Sequence, residues 1–106
     1  MSERRYTQLV RRELVGLAAL ASERESESRL REISAMVNRW KKGSTGSFNA
    51  LGEIQRLSGT SPVTWAHGAD PGVPVAHAVA AGYLKRKDFS DASWKAVEVL
   101  VTLAEI

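Results

Sequence analysis

The sequence predicts an all-α fold, a small bundle of about five helices. Three observations carry that expectation: apolar residues recur at helical spacing, helix start and stop signals punctuate the chain, and no segment alternates at period two long enough for a strand. With 106 residues, 43% apolar and 25% charged, the chain matches an ordinary globular domain in size and composition, read as one all-helical domain over 1–106.

The first helix is expected from Arg4 to Ala21, with Tyr6, Leu9, Val10, Leu14, Leu17, Leu20 and Ala21 as its apolar stripe. A second follows from about Glu23 to Lys42, striped by Leu30, Ile33, Val37 and Trp40. At about 100° per residue Leu30 lies some 220° around from Leu17, and one small core cannot receive both stripes. Ser22-Glu-Arg-Glu25 also reads as a capping box. The expectation is therefore a break near Ser22–Ser28 and an N-terminal antiparallel hairpin, with a continuous helix serving two subunits as the alternative.

Gly43-Ser-Thr-Gly-Ser47 is a loop, and Ser47 is expected to cap a helix over Phe48–Leu57 with Phe48, Leu51, Ile54 and Leu57 on one face. Ser61-Pro62 then reads as N-cap and first residue of a short turn through Trp65. After the turn residues 69–74, Pro74 is expected to open a helix over Val75–Ala81 that Gly82 ends. Ser90 caps the last helix, Asp91–Glu105, with Phe89 and Trp94 at the hydrophobic-staple positions.

Composition excludes several classes. Without cysteine there is neither a disulfide scaffold nor thiolate chemistry. Met1 runs straight into charged residues, and the longest apolar stretch, Leu14 to Ala21, falls far short of the ~20 residues that span a bilayer. The sequence therefore reads as cytoplasmic, with no membrane partner. There is no Gly-x-Ser-x-Gly elbow and no phosphate-binding glycine motif, so no cofactor is expected and the balance leans away from an enzyme, the least favoured alternative being a metal-dependent enzyme around His67, Asp70 and His77.

Three groups of residues remain as candidates. In the last helix the polar residues Lys95, Glu98, Thr102 and Glu105 occupy an arc of only about 80°. The rest is apolar, and Val97, Leu100, Val101, Leu103 and Ala104 are read as an interface, with Tyr83 and Leu84 as further apolar surface. The implied function is a non-enzymatic protein-interaction module forming a homodimer. The competing account of that helix is a central core element.

The net charge of +3 concentrates in two places: Arg4, Arg5, Arg11 and Arg12, and then Arg39, Lys41 and Lys42. These would form the phosphate-contacting face of a sequence-tolerant nucleic-acid binder. No aromatic residue interleaves the arginines, so base stacking is not supported, and a solvated helix face is preferred. Last, His67, Asp70 and His77 are the only metal-type residues in one stretch. Their spacing fits no zinc signature, and His77 is expected to be a buried histidine bonded to a backbone carbonyl.

Overall fold

Thr7 starts the first helix: its hydroxyl accepts the Val10 N–H and its carbonyl the Arg11 N–H. From there, in a computed structural model that describes residues 6–59 and 70–106, α1 (Gln8–Lys41) runs for 34 residues without interruption. The expected break at Ser22–Ser28 is absent, and with it the N-terminal hairpin. The two stripes do face apart around α1, but they do not share one core. The chain instead forms two compact units, Met1–Glu23 with Pro62–Ile106, and Arg24–Ser61, and α1 contributes one stripe to each. The anticipated capping pair is absorbed into the helix, with Glu25 buried along it.

In the second unit α1 ends in the Schellman arrangement: Ser44 N–H bonds to the Arg39 carbonyl and Gly43 N–H to that of Trp40, with Gly43 at φ +78°. After five linking residues α2 (Ser47–Leu57) begins. Its N-cap is Gly46 rather than Ser47, whose hydroxyl instead accepts the Trp40 indole N–H at 2.8 Å. At the other end Arg29 donates to the Leu57 and Gly59 carbonyls. Those two ties make the pair antiparallel, so the helical hairpin of this protein is α1 with α2, turning at Gly43. Met36, Ala50 and Leu57 are its buried apolar residues.

In the first unit α3 (Gly72–Ala81) starts earlier than expected. The Asp70 carboxylate accepts the Gly72 N–H, and Pro74 falls in the first turn, where a missing N–H costs nothing. Gly82, at φ +90°, ends the helix with the Tyr83 N–H on the Ala78 carbonyl and its own on Val79. A 3₁₀ turn, Arg86–Asp88, leads to α4 (Asp91–Glu105), whose bounds match the expectation. Phe89 and Trp94 meet edge-to-face at 5.2 Å, and the Arg86 guanidinium lies 5.4 Å from the Trp94 ring centre. The core joins Val10, Leu14, Leu17, Ala18 and Ala21 of α1 to Val75, Ala76 and Ala78 of α3, Leu84, Phe89, and Val97 and Val101 of α4.

Among the described residues there are thus four α-helices, one 3₁₀ turn and no strand, in place of about five helices. None of these helices is long and apolar enough to cross a membrane. The turn expected at Ser61–Trp65, and Arg4, Arg5 and His67, lie outside the described residues.

Ser90 provides a local test of this architecture. Its hydroxyl accepts the Ser93 N–H and donates to the Glu13 carboxylate on α1, so it both caps α4 and ties it across the unit. Ser90→Ala is expected to cost about 1 kcal/mol in urea unfolding. A change below a few tenths would show that the cap contributes nothing.

Candidate functional site

Each unit presents an apolar surface. On the first, α3 packs against α4, and the pairing determines which flank of α4 faces inward. Of the interface residues read from the sequence, Val97 and Val101 turn into the core, so they are not surface. Leu100 and Ala104 are half-buried at the edge, and Leu103 is 61% exposed. Those three, with Val73, Ala76 and His77 of α3, line a shallow hollow of about 190 Å³. Val99 is exposed as well. Tyr83 is half-buried and Leu84 is fully buried, which removes Leu84 from any interface. The sequence missed Val73 and Ala76, because their partnership with α4 is a tertiary fact.

On the second unit the hairpin has two unlike faces. Glu32, Ala35, Arg39, Glu53 and Arg56 line one of them. There Glu53 and Arg56 pair at 2.8 Å one turn apart, and the Arg56 hydrogen bond and charge hold the Glu53 carboxyl below the usual carboxylate range. A depressed carboxyl stabilises the folded state above its unfolded pKa and loses that contribution as pH falls through the folded value. On the other face Val37, Trp40, Ser47, Ala50, Leu51 and Ile54 line a hollow of about 260 Å³. Trp40, expected in the core, is 45% exposed here. Its phase with Ile33 and Val37 makes it part of the α1 stripe, but the described residues of this unit supply only two helices to cover that stripe.

The basic residues divide between the units. Arg11 and Arg12 are exposed on the first, and Arg39, Lys41 and Lys42 are exposed on the second. Arg39 also borders the Glu53/Arg56 pair, so part of its charge is already answered.

Asp70 does not stand open as a ligand, because its Oδ1 accepts both the Tyr6 hydroxyl and the Gly72 N–H. His77 is exposed at the rim of the α3–α4 hollow, not buried as expected, since its position on α3 points away from the Val75/Ala76/Ala78 face. Among the described residues no group of three or more His, Cys, Asp or Glu side chains is placed to hold a metal.

No protein-family model matches the chain, and comparison with curated proteins and with solved structures finds no match.

Proposed function

We propose that this protein is a non-enzymatic interaction module that self-associates through the α3–α4 face. The observation behind this reading is that α4, having placed Val97 and Val101 in its own core, still presents Leu103 on the outside beside a hollow between itself and α3. A ridge and a hollow within one patch suit an isologous contact, in which a two-fold axis sets each copy's ridge into the other's hollow. Val73, Leu100 and Ala104 supply the apolar surround. The interface expected from the sequence is thereby narrowed to Leu100, Leu103 and Ala104, joined by Val73.

The rival reading, phosphate contact by Arg11, Arg12, Arg39, Lys41 and Lys42, gains no specific support. Arg11 and Arg12 belong to one unit and Arg39, Lys41 and Lys42 to the other.

Molecular mass measured across a concentration series tests the proposal. Leu103→Glu is expected to weaken association by about tenfold or more while leaving helicity and unfolding almost unchanged, because a charge is placed on an exposed position. Val101→Glu is expected to unfold the unit instead, since it buries a carboxylate in the core. An unaltered association constant in Leu103→Glu would remove this face as the interface.

A further inference from the structure

We propose that the apolar face of the α1–α2 hairpin is a second, independent self-association surface, on which the hairpin of another copy packs antiparallel to complete a four-helix bundle. The proposal goes beyond the α3–α4 reading and does not depend on it.

The first support is the pattern along α1. Leu30, Ile33, Val37 and Trp40 follow one another at spacings of three, four and three, the a/d rhythm by which one helix seats against another. Within the hairpin that seam is only partly used. Leu30 stays 65% exposed and Leu51 of α2 62% exposed, and Trp40 and Ile54 close the hollow between the two helices. A helix stripe is stable when another layer covers it, and the described residues of this unit supply only two helices. The other face carries Glu32, Arg39, Glu53 and Arg56, whereas among the described residues Ser47 is the one polar residue lining this hollow, so the two sides differ in character.

The second support, which names the occupant, is charge. Glu27, Ser34 and Lys41 recur every seven residues along one edge of this seam. Antiparallel pairing that sets Leu30 against Trp40 and Ile33 against Val37 brings Glu27 of each copy near Lys41 of the other. The two-fold axis makes the contact twice, with Ser34 close to the axis. Parallel pairing would instead put the two copies' Glu27–Lys41 edges on opposite sides of the seam, where this pair cannot form. In the single chain Glu27 pairs with Arg31 one turn away, an exposed ion pair that water screens and that contributes little.

The third support is area. Leu30, Trp40 and Leu51, with the half-exposed Ile33, Val37 and Ile54, offer on the order of 500 Å² per copy. Two copies therefore approach the ~1,000 Å² at which a specific interface becomes stable. The association is accordingly modest and depends on concentration.

Sedimentation equilibrium of the full chain and its variants is the test. Leu51→Glu should weaken association about tenfold or more with the circular dichroism spectrum preserved, because the residue is exposed. Glu27→Lys and Lys41→Glu should each weaken it, and the double variant Glu27→Lys/Lys41→Glu should recover the unmodified affinity. Only an antiparallel charge pair behaves in that way. Leu103→Glu in parallel separates the two surfaces: its lack of effect would count against the α3–α4 face and leave the hairpin untouched. Unchanged association in Leu51→Glu overturns the proposal. So does a double variant weaker than either single one, or a chain monomeric at every concentration whose hairpin instead takes up an added amphipathic peptide.

Discussion

Leu14→Ala is expected to lower the unfolding free energy of the α1–α3–α4 unit by about 3 kcal/mol, within the range measured for leucine truncation in cores. Leu14 has no exposed surface and belongs to the cluster formed by α1, α3 and α4. Truncation removes three carbons and leaves a void that backbone on three sides cannot easily close. Leu9 and Val15 flank it along α1 on the exposed side, and alanine at either should change stability by less than about 0.5 kcal/mol. That contrast tests which face of α1 points inward, because the helical stripe read from the sequence included Leu9 and omitted Ala18. Urea unfolding followed by circular dichroism gives all three values. Equal losses at Leu9 and Leu14 would mean that the helix is rotated from the orientation described. In a unit whose total stability is only ~5–15 kcal/mol, a loss of about 3 removes roughly a fifth to three-fifths of the margin.

The parts of the fold legible in the sequence are those determined locally. Ser90 caps α4 through Ser93 N–H, and Phe89 meets Trp94, because caps and staples need only neighbours within a turn. Gly82 and Gly43 end their helices for the same reason: each adopts a positive φ that other residues avoid. What escaped was non-local. A stripe on α1 that rotates by some 220° is equally consistent with a break or with two cores, and only the second half of the chain decides which. Capping-box chemistry at Ser22 does not discriminate, since a glutamate there is also a good helix former. The candidate surface was half legible. A narrow polar arc on α4 shows that more than one flank is apolar, but which of Val97, Val101 and Leu103 turns inward depends on where α3 lies. The hairpin face was misread at Trp40, because periodicity reports that a residue belongs to a stripe and not that the stripe has a partner.

Arg29→Ala is expected to cost the hairpin about 3 kcal/mol, far more than any other surface-accessible charge in that unit. Arg29 reaches from α1 to the end of α2, where helix carbonyls lack intrahelical donors and carry the negative end of the helix dipole. Its Nη1 donates to the Leu57 carbonyl at 2.6 Å and to that of Gly59 at 3.0 Å. Its other nitrogen lies 3.9 Å from the carboxylate of Glu25, one turn back on α1. Glu25 is only 3% exposed, so the arginine also offsets a carboxylate drawn away from water. Truncation therefore removes two charge-assisted hydrogen bonds and weakens the compensation of a buried charge in a single step. Arg29→Lys keeps the charge but not the planar fork, and its cost should fall between those of the wild type and alanine. Arg31→Ala is the control: its partner Glu27 is also one turn away, yet both side chains are exposed, and the loss should stay below about 0.5 kcal/mol. If the compensation of Glu25 matters, Arg29→Ala will cost less in a Glu25→Gln background, by about 1 kcal/mol or more in a double-mutant cycle. Amide exchange of α2 reads the hairpin separately from the rest of the chain. Equal losses for Arg29→Ala and Arg31→Ala would show that the tie between α1 and α2 is made by apolar packing alone.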